Sequence, residues 1–287
     1  MIKLLALDLD GTLLNSRGKI SEENKQAIRK AEEKGVLVTI ATGRRFRDAR
    51  PVALEIGFNA PIVTHNGALL KFAESLETVE FSLLSNETVL EILRAGKLTG
   101  GDALVSVDPH GQGTLLYDRV SDENLPLKKY IAWAKTLHGD DAEESVRHVA
   151  NLEDIVEKSE IVHISFSGAC EPMYEMQQIL TGELQDSVNI LATVYPRLDF
   201  TLLDILPPGA SKGIGVEKLA ALHGLTHENV MVCGDNFNDL EMLEFAGTPI
   251  VMGNAAPELQ EREEFHTTLS NDENGVALAI EKFILDL

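Results

Sequence analysis

The chain has 287 residues, long for one average domain and sized for two, and its 44% hydrophobic content is that of a globular protein with a sizeable core. Its 46 acidic residues against 25 basic give a formal net charge of -21, which argues against nucleic-acid and anionic-membrane partners and requires a local cation wherever an anionic substrate binds. Two cysteines, Cys170 and Cys233, are too few for a disulfide framework and fit a reducing, cytoplasmic setting. The N-terminal apolar run is broken by Asp8 and Asp10 and reads as no signal peptide, and no run is long enough to span a bilayer.

In chain order, Ile2–Leu9 reads as a strand, followed by a helix over Glu22–Lys34 with Ser21 as N-cap and Gly35 at its end. Val36–Ala41 is the next strand. Arg45–Ile56 reads as a helix that Pro51 must kink or restart, and Pro61–Thr64 as a third strand. Strands apolar on both faces and separated by helices predict a parallel sheet covered on both sides. The same texture returns after residue 207, with helices at Lys212–His223, Asp239–Phe245 and Val276–Leu285, and strands at Asn229–Cys233 and Thr248–Met252. The middle of the chain differs. Ala103–Val107 and Gly113–Arg119 read as a hairpin around Pro109 and Gly111. Further strands are expected at Ile161–Ser167, Asn189–Tyr195 and Asp199–Leu206, and helices near Glu87–Ala95, Leu127–Leu137 and Pro172–Leu180. The expectation is an α/β core from residues 1–80 and 207–287, carrying an inserted α+β domain over residues 81–206, with Tyr117, Tyr130 and Trp133 in the insert's core.

The unusual polar residues follow the core strands. Asp8 and Asp10 end the first, Thr42-Gly43-Arg44 follow the second, His65-Asn66-Gly67 the third. Gly234 to Asp239 follow Asn229–Cys233, and Gly253-Asn254 follow Thr248–Met252. In open α/β sheets, ligands bind at the carboxyl ends of the strands. Two carboxylates at a buried strand end repel each other and resist desolvation, so Asp8 and Asp10 call for a cation, a proton or a chemical task. With Asp235 added, three carboxylates can converge on a hard cation such as Mg²⁺. Other readings stand beside these. An Asp-Gly is often only a turn, Thr42 reads as an N-cap as well as an anion-binding hydroxyl at a helix N-terminus, and Asp239 reads as an N-cap or first-turn acid. Lys212 in a first helical turn opposes the helix dipole, which makes it odd as decoration, and its other reading is an exposed lysine. His65 reads as structural or incidental and Cys233 as a buried strand residue. The Pro-Pro-Gly-Ala-Ser-Lys-Gly stretch lacks P-loop spacing.

Taken together, Asp8-Leu9-Asp10-Gly11-Thr12-Leu13-Leu14, Ala41-Thr42-Gly43-Arg44, Asn66-Gly67-Ala68, Ser211-Lys212-Gly213, Gly234-Asp235-Asn236-Phe237-Asn238-Asp239 with Met242, Met252-Gly253-Asn254-Ala255 and the closing Gly275-Val276 resemble the haloacid-dehalogenase-like phosphatase superfamily in its Cof-type branch. The resemblance covers the core from end to end. It implies a Rossmann-like doubly wound parallel sheet with the insert as a cap domain.

The resemblance also implies roles. Asp8 is the nucleophile that takes the phosphoryl group. Asp10 is the acid for the leaving oxygen and then the base for the attacking water. Asp8, the backbone carbonyl of Asp10 and Asp235 hold Mg²⁺. Thr42 and Lys212 hold phosphoryl oxygens, with Gly11, Gly43, Arg44 and Asn238 at the same site and Asp239 supporting the metal or Lys212. The implied activity is Mg²⁺-dependent hydrolysis of a small phosphorylated metabolite, such as a sugar phosphate, through an aspartyl-phosphate, by a cytoplasmic monomer or weak homodimer. A phosphomutase on the same scaffold and a phospho-aspartate receiver are the competing readings. The physics is consistent: Mg²⁺ and Lys212 would offset the repulsion between an aspartate and a phosphate dianion, and a cation and a shared proton would explain why Asp8 and Asp10 sit together.

Overall fold

A computed structural model describes residues 1–286. Its strands in chain order are β1 (Leu4–Leu7), β2 (Leu37–Ile40), β3 (Ile62–Thr64), β4 (Leu69–Lys71), β5 (Thr78–Phe81), β6 (Asp102–Val107), β7 (Thr114–Tyr117), β8 (Val146–His148), β9 (Ile161–Gly168), β10 (Asn189–Tyr195), β11 (Phe200–Leu206), β12 (Val230–Gly234), β13 (Thr248–Val251) and β14 (His266–Thr267). By packing, the chain forms two compact units. One holds Met1–Arg44, Ala49–Val79 and Ser211–Leu287; the other holds Arg45–Asp48 and Glu80–Ala210.

The first unit is built on a five-stranded sheet in the order β14-β13-β12-β1-β2, with every pairing parallel. Its interior strand β1, Leu-Leu-Ala-Leu between β12 and β2, is fully buried at all four positions. A strand covered on both faces has no reason to alternate, so an unbroken aliphatic run is the expected signature. Ser21 caps the helix Glu22–Glu33 through Asn24 N–H, as its position implied.

The third expected strand departs from that plan. Ile62–Thr64 touches the parallel sheet only through a bridge from Val63 to Ala41, and it pairs antiparallel with β4 in a separate three-stranded sheet. The cause is the His65-Asn66-Gly67 turn, whose residues all have positive φ (51°, 49° and 90°) and reverse the chain on the spot. Gly67 is required there, since a side chain would collide with the Ser211 carbonyl. The helix Phe46–Ile56 continues through Pro51, where a kink or restart was expected. At that position the proline withholds one N–H, from the Arg47 carbonyl.

The second unit is a six-stranded sheet in the order β10-β11-β9-β6-β7-β8, with Ile164, Phe166, Met173, Met176 and Leu180 in its main core. Tyr117 and Tyr130 pack in a smaller cluster around Leu104 and Ile131, whereas Trp133, expected in the core, is 41% exposed. Asparagine 189 through Tyr195 forms β10 with the expected bounds.

Four residues of the helix Phe46–Ile56 region, Arg45–Asp48, pack with this second unit, although the sequence places them in the core. Asp48 is buried and receives Arg45 Nε at 2.6 Å, the Tyr130 hydroxyl at 2.7 Å and His138 Nε2 at 2.8 Å. Arg45 also donates to the Ser145 carbonyl at 2.5 Å. Burial alone would raise the Asp48 pKa, but His138, Arg45 and Tyr130 together bring it down to about 2. A carboxylate depressed from 3.8 to about 2 contributes on the order of 2 kcal/mol, present above the unfolded value and lost as pH falls through the folded one. The urea-unfolding advantage of wild type over Asp48→Asn is therefore expected to be constant near neutrality and to shrink as pH drops through the carboxylate range. An advantage that does not change with pH would remove the ion cluster as its source.

Candidate active site

Asp8 continues the line of β1, its N–H bonded to the Cys233 carbonyl at 3.0 Å on the neighbouring strand, and only 4% of the residue is exposed. Lys212 opens the helix Lys212–Leu222, which Ser211 caps through Ile214 N–H at 3.1 Å. A lysine in a first turn is unfavourable toward the helix dipole, yet its side chain is turned inward and buried. Its Nζ donates to Asp8 Oδ1 and to Asp239 Oδ1, both at 2.6 Å. The remaining oxygen of Asp239 accepts the backbone N–H groups of Asp235 and Asn236 at 3.0 and 3.1 Å. This bond set fixes the loop after β12 and aims Asp235, whose Oδ1 accepts the Thr12 hydroxyl at 2.8 Å. Gly11 makes the intervening turn at φ 87°, and a Cβ there would run into the Asp235 carboxylate.

Asp8, Asp235 and Asp239 thus offer one carboxylate oxygen each, all within 4.8 Å of one another. Burial pushes the Asp8 carboxyl well above the usual range; Lys212 opposes this, and Asp239 and Asp235 add to it. Burial and then Asp239 raise Asp235 to about 6. Burial alone would lower the Lys212 ammonium, but Asp239 and Asp8 overcome it and raise it. Three carboxylates crowd together with one lysine, which bonds two of them, and crowding of this kind is relieved by a further cation. Asp8 and Asp235 each keep one oxygen outside the hydrogen bonds just described, whereas both oxygens of Asp239 are committed. The oxygen donors of Asp8 and Asp235 fit a hard divalent ion such as Mg²⁺.

Asp10 does not join this group. Its side chain is 59% exposed and is held by Arg44, with Nε at 2.8 Å from one oxygen and the second guanidinium nitrogen at 2.5 Å from the other. The expectation of a proton shared between Asp8 and Asp10 is therefore corrected. The strand ends at Leu7, ahead of both carboxylates, and each has its own cationic partner, Lys212 for Asp8 and Arg44 for Asp10. Thr42 is buried and its hydroxyl accepts Arg44 N–H at 3.1 Å, so it turns the chain after β2 as well as offering a donor. Gly43 lies against Asn66, where a Cβ would stand 3.0 Å from Oδ1. Asn238 is half-buried on the loop after β12, beside Asp239 of the carboxylate group.

Three contributors had no assigned role in the sequence reading. Thr12 orients Asp235. Asn254 donates to the Gly11 carbonyl at 2.8 Å and accepts Asn271 N–H at 2.9 Å, which ties the loop after β13 to the Asp8 loop. Asn66 has a positive φ and a buried Oδ1 without a hydrogen-bond partner. All three lie inside the stretches that signalled the site, but the partners that give Thr12 and Asn254 their purpose are far away in sequence.

Comparison with known proteins agrees with this geometry. The family model for haloacid dehalogenase-like hydrolases matches residues 5–280. The chain is 30% identical over 285 residues to the stress response protein YhaX of Bacillus subtilis, covering 98% of this chain and 93% of that protein. It is 29% identical to the 5-amino-6-(5-phospho-D-ribitylamino)uracil phosphatase YwtE of the same organism, covering 99% and 98%. A haloacid dehalogenase-like hydrolase from Bacteroides thetaiotaomicron superposes with a TM-score of 0.81 at 26% identity, over 99% of this chain and 100% of that one. The chain belongs to the haloacid dehalogenase-like hydrolase family and is an enzyme.

Proposed function

We propose that the chain is a Mg²⁺-dependent phosphatase of small phosphorylated metabolites that works through an aspartyl-phosphate on Asp8. The observation that carries the reading is the buried Asp8, held by Lys212 beside Asp235 in a crowded carboxylate group. Kinship with a phosphatase of a ribityl-phosphate compound supports a phosphorylated small molecule as substrate. Asp8 and Asp235, with the backbone carbonyl of Asp10, would hold the metal, and Asp239 would steady Lys212 and the Asp235 loop from behind. The ion would supply charge neutralisation for an incoming phosphate dianion.

The protein's own residues divide the rest. Asp8 attacks phosphorus, and the bond from phosphorus to the leaving oxygen breaks. Asp10 gives that oxygen a proton and later takes one from the water that cleaves the acyl phosphate. Lys212 and the Thr42 hydroxyl donate to phosphoryl oxygens, where charge builds in the transition state. Arg44 holds both oxygens of Asp10, so acid–base work requires it to release at least one. A phosphate oxygen in the site is a competing anion for that guanidinium.

The test is phosphate release from an aryl phosphate and from a panel of sugar and ribityl phosphates. Turnover is expected with Mg²⁺, none with excess EDTA, and recovery when Mg²⁺ is restored. Undiminished release in chelator would reject the metal-dependent reading.

A further inference from the structure

We propose that β10 is the seam of a symmetric dimer, with a second copy of this chain pairing antiparallel along its free edge. β10 has one strand neighbour, β11, to which all seven of its residues are paired without a register shift. In an antiparallel ladder alternate residues turn their N–H and C=O groups away from the partner. On β10 those groups face no further strand.

Sheets usually guard such edges with short strands, charged side chains, proline or a bulge. The opposite edge of this same sheet is guarded: β8 has three residues, two of them the exposed Arg147 and His148. β10 lacks these protections. It reads Asn-Ile-Leu-Ala-Thr-Val-Tyr, without charge, proline or bulge.

Two features select a second copy as the occupant. A strand pairing antiparallel with its own copy across a two-fold axis is self-complementary, since each outward donor meets an outward acceptor of the same segment. Charge restricts where two such chains can meet. Each carries a net charge of -21, so close approach is repulsive over most of the surface. Residues 189–200 contain only Arg197 and Asp199 as charged groups and are neutral in sum. Apolar side chains stand beside the seam with Val194 51%, Tyr195 45% and Leu198 69% exposed, and association would cover them. Ala192 and Val194 share the sheet face of Ile190 by alternation and are exposed. Because the free edge is already solvated, the net gain per backbone bond is modest and the dimer is a weak one.

The test is sedimentation equilibrium from micromolar to hundreds of micromolar, with amide exchange read at both ends of that range. Wild type is expected to move from the mass of one chain to that of two, with alternate β10 amides slowing as it does. The double variant Ala192→Glu, Val194→Glu places like charges on both sides of the seam. It is expected to raise the dissociation constant at least about tenfold, with the far-UV spectrum and thermal midpoint unchanged. Wild type that stays a single chain throughout, or a dimer indifferent to the two glutamates with β10 amides unprotected, would overturn the proposal. The exchange measurement on wild type decides the matter even if the variant folds poorly.

Discussion

Asp8→Asn is expected to cost at least about 10⁴-fold in kcat while leaving the protein no easier to unfold. The two halves of that expectation come from the same geometry. The amide is isosteric, and its oxygen still accepts Lys212 Nζ, so the packing around a buried position survives. Electrostatically the change is a relief. Asp8 is held well above its usual carboxyl range by burial and by its two acidic neighbours, and that strain disappears with the charge. An amide nitrogen cannot attack phosphorus as the carboxylate does. Thermal unfolding should therefore give a midpoint equal to or above that of wild type, alongside null phosphate release. A variant with wild-type turnover would remove Asp8 as nucleophile. A variant with a sharply lower midpoint would mean that Asp8 is a structural anchor.

Lys212→Met is expected to damage both properties. The lysine is the shared partner of Asp8 and Asp239 in the buried group. Removing one member of a buried ion pair leaves uncompensated charge, with a cost of about 3–5 kcal/mol. Loss of a cation that faces the developing phosphoryl charge should also lower kcat by about 10²–10³-fold. The stability cost carries a sign in pH. Asp8 already has a raised folded-state pKa, and deleting the ammonium raises it further. A carboxyl raised on folding penalises the native state above its unfolded pKa, most fully above the folded one, and the penalty fades as the group takes up its proton. The urea-midpoint gap between wild type and Lys212→Met is thus expected to narrow as pH falls and Asp8 takes up its proton. A gap independent of pH would assign the loss to packing of the lysine stem. As a separate check on the charge, added Mg²⁺ should raise the midpoint of the variant more than that of wild type.

Local sequence carried the chemistry of the site further than its geometry. Asp8, Lys212 and Asp235 were legible because each breaks a local rule: an acid at the end of a buried strand, a lysine in a first helical turn, an acid in a glycine loop. Such violations mark places where distant residues compensate. What stayed illegible was which partner compensates which. Asp8 and Asp10 are two residues apart and were read as a pair, but the strand ends before either, and Asp8 meets Lys212 while Asp10 meets Arg44. Asp239 was read as a cap and, through the resemblance, as a support for the metal or Lys212; it caps the Asp235 loop with one oxygen and accepts Lys212 Nζ with the other. The antiparallel turn of Ile62–Thr64 was missed for a related reason. Its signal is three positive φ angles at His65, Asn66 and Gly67, of which the Asn66-Gly67 pair is a hairpin-turn signature and His65 gives no warning.

The four-residue excursion Arg45–Asp48 bears on how such chains can be recombined. An exchange of the second unit between related enzymes looks like two cuts, near residues 80 and 210, where the chain passes between its compact units. The chain also passes between them at Arg44–Arg45 and at Asp48–Ala49. A transplanted second unit that does not match this patch would leave Asp48 without its Tyr130 and His138 donors and Arg45 without the Ser145 carbonyl. The piece that must travel together is therefore the second unit plus one helical turn encoded some 30 residues upstream, since a buried Asp48 stripped of its partners is costly.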